Sequence, residues 1–145
     1  MMKLIKVTAA SLLLMTSVIF AAQGKDITQK ALVILTSDSL QTQGMALVLS
    51  NTMASKGTQV NLMLCDEAGD LALKKDDSES LKPKDLTPGQ MLRGFIKAGG
   101  KVEVCALYLP NSDYTQADLL EGVSVATPPA MTAKMLDPNT RTFTF

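Results

Sequence analysis

Gly99-Gly100-Lys101-Val102-Glu103-Val104-Cys105-Ala106-Leu107 decides how this chain is read: two glycines close a helix, an apolar segment begins at once, and a cysteine stands near its end. Upstream, Thr87-Pro88-Gly89-Gln90 has capping-box spacing with proline at the first helical position, so the spacing predicts a helix running to about Ala98. Leu92, Phe95 and Ile96 then fall on one face, turned toward a sheet. The apolar segment reads as a strand from Lys101 to Leu109, halted by Pro110. A capped helix, a glycine stop and a strand in immediate succession are the unit from which α/β sheets are built.

The same alternation extends in both directions. Ala31 to Leu35 is a continuous apolar run that empties into Thr36-Ser37-Asp38-Ser39, as a fully buried parallel strand does. Gly44 to Lys56 carries Met45, Val48, Leu49, Thr52 and Met53 at helical spacing, and Gly57 supplies a left-handed stop. Gln59 to Cys65 is a second strand. From Asp66 to Asp85 the chain is charged except for Leu71-Ala72-Leu73, which reads as a surface excursion with about one helical turn. Beyond the third strand, Asn111-Ser112-Asp113 is a turn, Thr115 to Glu121 a short helix ended by Gly122, and Val123 to Ala126 a brief fourth strand. Thr127-Pro128 caps a helix through Leu136, stopped by Asp137-Pro138. Arg141 to Phe145 then alternates threonine with phenylalanine, as an edge strand with one buried face would. No repeat or linker interrupts this order. It implies one domain of three α/β/α layers around an about five-stranded, mainly parallel sheet.

Residues 1–24 stand apart. Lys3 and Lys6 precede an apolar run from Val7 to Phe20, too short for a membrane span, and Ala22-Gln23-Gly24 offers a small-residue cleavage site. This reads as a secretory signal peptide, which leaves residues 25–145 as the domain and implies a periplasmic or secreted protein with no membrane span after processing. Of 14 basic residues two lie in the leader, so the remaining 12 face 14 acidic ones and the domain's net charge is near minus two. The basic residues are scattered and aromatics are few, which gives neither the electrostatic footprint nor the stacking platform of a nucleic-acid binder.

The chain has no histidine. Ser-His-Asp and Cys-His pairs are therefore closed, as is imidazole ligation of a metal. Two cysteines, Cys65 and Cys105, cannot complete a thiolate zinc site within one chain. Outside the leader the methionines Met45, Met53, Met63, Met91, Met131 and Met135 fall at apolar helix or strand positions, where methionine fills core gaps rather than binding copper. No metal and no resident cofactor is expected. What remains is the thiol of Cys105. At the carboxyl end of an α/β strand it occupies the place where open sheets leave their ligand crevice, as a nucleophile would, although free cysteine also serves as a small buried hydrophobe.

Taken together, these segments resemble the DsrE/DsrF-like family, which includes sulfur-relay proteins, over nearly the whole of 25–145. The resemblance rests on the opening strand Ala31 to Leu35 with its polar turn and helix, the acidic glycine-containing loop Asp66 to Gly69, Gly99-Gly100-x-Val-x-Val-Cys, Gly122-Val123 and the closing Arg-Thr-Phe-Thr-Phe. It implies homo-oligomeric assembly and a persulfide carried on the cysteine after the glycine-led third strand, a position that Cys105 matches; a flavodoxin-like strand order is expected separately, as the commonest doubly wound topology. Two departures are visible. Leu107-Tyr108-Leu109-Pro110 stands where the sulfur carriers have a small, flexible stretch, and the familiar relays work without a signal peptide.

A persulfide relay needs no histidine. A thiolate takes sulfur from a donor and a second thiol removes it. With no basic residue beside Cys105, helices starting after Thr42 and Thr115 are the expected source of thiolate stabilisation, and Ser37, Asp38 and Thr42 become candidates for lining the site besides their ordinary turn and capping roles. Cys65, followed by Asp66 and Glu67, is the poorer nucleophile and a possible second, resolving thiol. The expected function is sulfur or redox handling through Cys105, with a sulfur donor or acceptor protein or a small thiol as partner. The alternatives are a non-catalytic module binding a small ligand or partner, and a thiol–disulfide protein, the latter without a Cys-x-x-Cys motif. In flavodoxin-like order the first strand lies between the second and third, which would hold the Cys65 and Cys105 backbones roughly 10 Å apart, beyond the about 7 Å a disulfide tolerates.

Overall fold

The computed structural model describes residues 29–75 and 78–145. Residues 1–24, read from the sequence as a signal peptide, lie outside the described residues. Five strands, β1 (Lys30–Leu35), β2 (Gln59–Leu64), β3 (Lys101–Val104), β4 (Val123–Val125) and β5 (Thr140–Thr144), form one sheet in the order β4-β3-β2-β1-β5. Every pairing is parallel. Helices α1 (Leu40–Ser55), α2 (Pro88–Lys97) and α3 (Pro128–Leu136) connect them, so the α/β alternation expected from the sequence is the architecture found.

The two faces are covered unequally. Val33, Leu35, Leu62, Leu64, Val102 and Val104 point to one side, where Ala46 and Leu47 of α1 and Leu92 and Phe95 of α2 close over them in the main core. By strand alternation Leu32, Ile34 and Met63 point to the other, and there Met131 of α3 and Ala126 form a much smaller cluster. Leu71, Ala72 and Leu73 of the charged stretch belong to the main core, carried by a 3₁₀ helix over Asp66–Ala72 that is longer than the single turn expected.

Local chemistry accounts for the helix that leads to β3. Gln90 N–H donates to the Thr87 hydroxyl at 3.0 Å while the Thr87 N–H donates to the Gln90 side chain at 3.0 Å, with Pro88 in the first turn. At its far end Gly99 has φ +88°, where a side chain would be strained. A Cβ on Gly100 would stand 2.4 Å from the Phe95 ring, so this glycine lets β3 leave directly beneath the helix.

Strand order is where the structure corrects the sequence reading. β2, not β1, lies between its neighbours: it pairs with β1 on one side and β3 on the other, and β5 takes the far side of β1. β3 is also shorter than expected, ending at Val104 because the chain turns at once, with the Tyr108 N–H donating to the Cys105 carbonyl at 3.0 Å. The helix expected from Thr115 is a three-residue 3₁₀ turn, Gln116–Asp118, in which the Asp118 carboxylate accepts from both the Thr115 N–H and hydroxyl. β5 is an edge strand as expected, though only partly buried: Phe145 packs on the core while Phe143 is exposed.

Candidate functional site

Cys65 and Cys105 are neighbours. The β2–β3 register pairs Leu62 with Val102, Met63 with Glu103 and Leu64 with Val104, and the next pair in that register is the two cysteines. The Cys105 N–H donates to the Leu64 carbonyl at 2.8 Å, and the Cys65 N–H to the Leu35 carbonyl at 2.9 Å, so the ladder runs through both residues. Adjacent strands stand about 4.8 Å apart, which overturns the roughly 10 Å separation expected from the assumed order. Both cysteines are free thiols, half-buried, and by alternation on the α3 side of the sheet.

The sulfurs have different surroundings. The Leu107 N–H donates to the Cys105 sulfur at 3.4 Å, and Cys65 stands next to it in the register. Burial, the hydrogen bond to Cys105, the charge at Cys105 and then the Asp66 carboxylate push the Cys65 thiol up to about 12. Cys65 therefore keeps its proton at neutral pH. The acidic neighbour noted in the sequence acts in the expected direction, but burial and the partner thiol, neither visible in the sequence, weigh more.

A clasp holds the two cysteine-bearing loops in place. Tyr108 is buried, and its hydroxyl donates to the Asp70 carboxylate at 2.6 Å. Its ring covers Gly69, where a Cβ would stand 2.4 Å away. Burial, the Asp70 hydrogen bond and the Asp70 charge drive the phenol well above its ordinary pKa, so it stays a donor. The Leu107-Tyr108-Leu109-Pro110 departure thus has a structural use: Tyr108 anchors the turn after Cys105 to the loop after Cys65. Leu107, beside the thiol, is 69% exposed. Sequence reasoning missed the clasp. Its only trace there is an aromatic residue in one loop and a glycine in another.

The three other candidates all follow the carboxyl end of β1, Ser37 and Asp38 in the turn and Thr42 in the first turn of α1. The Ser37 hydroxyl accepts from the Ser39 N–H at 3.1 Å, an ordinary turn contact, and its carbonyl accepts from the Gln43 side chain at 2.9 Å. Asp38 lines a cleft of about 330 Å³ with Gln43, Glu67, Asp70 and Tyr114. Neither cysteine lines that cleft. Thr42 lies inside α1, which starts at Leu40 with Ser39 as its N-cap, and so does not cap it. Because β2 intervenes, the start of α1 is about two strand spacings, roughly 10 Å, from Cys105. The donor at the Cys105 sulfur is the Leu107 amide instead. Among the described residues no group of three or more cysteine or acidic side chains is placed to hold a metal, and no helix is long and apolar enough to cross a membrane.

No family model and no curated protein sequence matches the chain. Solved structures do. The YchN protein of E. coli superposes with a TM-score of 0.68 at 16% identity, over 81% of this chain and 99% of that one. MTH1491 of Methanobacterium thermoautotrophicum, a protein of unknown function, superposes with a TM-score of 0.62 at 11% identity over the same shares. At such identities the likeness speaks for fold alone, and the five-stranded, all-parallel α/β domain seen here is the fold of these DsrE-like neighbours.

Proposed function

We propose that this protein is a sulfur carrier in which Cys105 accepts sulfane sulfur as a persulfide and passes it to a second thiol. One observation carries the reading: a half-buried cysteine just past the carboxyl end of β3 receives the Leu107 N–H at its sulfur, 3.4 Å away, with Cys65 next to it in the register. An N–H aimed at the sulfur suits a site that holds negative charge on it, which both the attacking thiolate and the persulfide require. The DsrE-like fold is consistent with this reading and does not by itself establish it. The reaction starts with attack of the Cys105 thiolate on the sulfur of a donor, which expels the donor's remainder and leaves the outer sulfur on Cys105. A small thiol or partner cysteine then attacks that outer sulfur and frees the Cys105 thiolate.

Intact mass after exposure to a sulfur donor tests this. Wild type gains one sulfur and Cys105→Ser gains none. A gain that survives in Cys105→Ser removes Cys105 from the role, and no gain in either protein returns the reading to a binding module, with the cleft lined by Asp38, Gln43 and Tyr114 as its place. A thiol–disulfide role is the second reading, favoured by the register of Cys65 with Cys105. Disulfide formation with an oxidant but no sulfur uptake would select it. The signal peptide extends the proposal to a periplasmic or secreted setting, for which the exported protein should begin near Lys25. Assembly as a homo-oligomer belongs to the same proposal and is read by sizing in solution.

A further inference from the structure

We propose that Cys65 discharges the Cys105 persulfide, releasing hydrogen sulfide and closing a Cys65–Cys105 disulfide within one chain. The step rests on the persulfide reading of Cys105 and adds a second outcome to it: reduction of the bound sulfur instead of its transfer. Geometry carries the proposal. The cysteines follow directly on paired residues of β2 and β3, and their amides are fixed by the continuing ladder, the Cys105 N–H on the Leu64 carbonyl and the Cys65 N–H on the Leu35 carbonyl. Backbones about 4.8 Å apart fall within the roughly 4.4–6.8 Å over which a disulfide closes without backbone movement.

Atoms and electrons balance without an outside oxidant. The Cys65 sulfur attacks the inner sulfur of the Cys105 persulfide, the bond between inner and outer sulfur breaks, and the outer sulfur leaves with its own hydrogen and the proton of Cys65 as hydrogen sulfide. The two electrons that reduce the outer, sulfane sulfur to sulfide come one from each cysteine sulfur as the pair becomes the disulfide. An external thiol, small or protein-borne, then reduces the disulfide and resets the site. Because Cys65 holds its proton at neutral pH, its attack is slow there. The persulfide therefore has time to meet an acceptor and is discharged only when none arrives.

Reduced protein is treated with inorganic polysulfide, freed of small molecules, and followed by intact mass, non-reducing peptide mapping and released sulfide. Wild type should lose its added sulfur as about one equivalent of sulfide while the intrachain Cys65–Cys105 disulfide appears, faster as pH rises through the neutral range. Cys65→Ser and Cys65→Ala should keep the sulfur on Cys105 at least about tenfold longer. Equal persulfide lifetimes in all three, with no intrachain disulfide, would overturn this step and leave the carrier function standing. If neither Cys65 variant gains sulfur although wild type forms the disulfide, both the persulfide reading and this step fall, and simple thiol–disulfide exchange replaces them.

Discussion

The two faces of the sheet divide the labour of the molecule. Under α1 and α2 the strands present leucine and valine side chains that are essentially inaccessible, capped by Leu47, Leu92 and Phe95. Under α3 the core is Leu32, Ala126 and Met131, and the rest of that face is half-buried: Asn61, Met63, Glu103 and both cysteines. Dense packing fixes a backbone, while a thinly covered face leaves polar and sulfur groups within reach of solvent and substrate. The unequal cover lets one side hold the strands in register while the other exposes what the register aligns.

The largest expected effect breaks the dense side. Phe95→Ala removes a fully buried ring that also packs against Gly100, and should cost about 3–5 kcal/mol. Met131→Ala on the thin side should cost about 2 kcal/mol, because a partly covered site can collapse or admit water. Urea denaturation of the two variants gives the comparison. Equal losses would show that both faces contribute alike and would dissolve the division.

A smaller effect is expected at the joint between the two loops. Gly69→Ala places a methyl group 2.4 Å from the Tyr108 ring, so the ring must move, at about 1–3 kcal/mol. If the clasp positions Cys105, the same variant should also change the rate at which Cys105 is alkylated. Loss of stability with an unchanged alkylation rate would confine the clasp to a structural role.

How much of this was legible in the sequence follows from what local pattern can encode. The Thr87–Gln90 capping box, the Gly99 stop, the apolar run Ala31 to Leu35 and the helix from Pro128 all depend on neighbours along the chain, and they appear as expected. Strand order does not. Ala31 to Leu35 would read the same with β3 beside it or with β5 beside it, because a strand buried on both faces carries no mark of its partner. The pairing of Cys65 with Cys105 is a consequence of that order, so it was illegible for the same reason. The clasp was hidden differently: Gly69 and Tyr108 are 39 positions apart and meet only because the loops after β2 and β3 leave adjacent strands.

Charge on the thin face gives the next test. The Glu103 carboxyl is raised by burial, yet hydrogen bonds from Lys134 and Asn61 and the charges of Lys134 and Lys101 outweigh this and hold it below its usual value. At the amino end of β1 the Lys30 side chain and then the Asn139 N–H hold Asp137 down to about 2. A carboxyl lowered in the folded state contributes stability that is complete above its unfolded pKa and is lost as pH falls through its folded one. Stability should therefore decline from about pH 4 toward pH 2. In Lys134→Met only the Asn61 hydrogen bond and the Lys101 charge still oppose the burial of Glu103, so its share of that decline should shrink while the share of Asp137 stays. Denaturation midpoints across this range read the difference, and identical acid profiles for variant and wild type would count against the Lys134–Glu103 pair.

The smallest expected effect refines the clasp. Tyr108→Phe keeps the ring over Gly69 and removes only the hydroxyl that donates to Asp70 at 2.6 Å. Asp70 is exposed, so water can replace the lost donor, and no buried group is left unsatisfied. The loss should be about 1 kcal/mol, well under that of Gly69→Ala, because the packing of the ring rather than the hydrogen bond keeps the two loops together. The turn that aims the Leu107 N–H at the Cys105 sulfur is set by the Tyr108 N–H bonded to the Cys105 carbonyl, which the substitution leaves in place. Alkylation of Cys105 should consequently proceed at the wild-type rate in Tyr108→Phe while changing in Gly69→Ala. A Tyr108→Phe variant as impaired as Gly69→Ala in both stability and alkylation would reverse the assignment and make the Asp70 hydrogen bond the feature that positions the thiol.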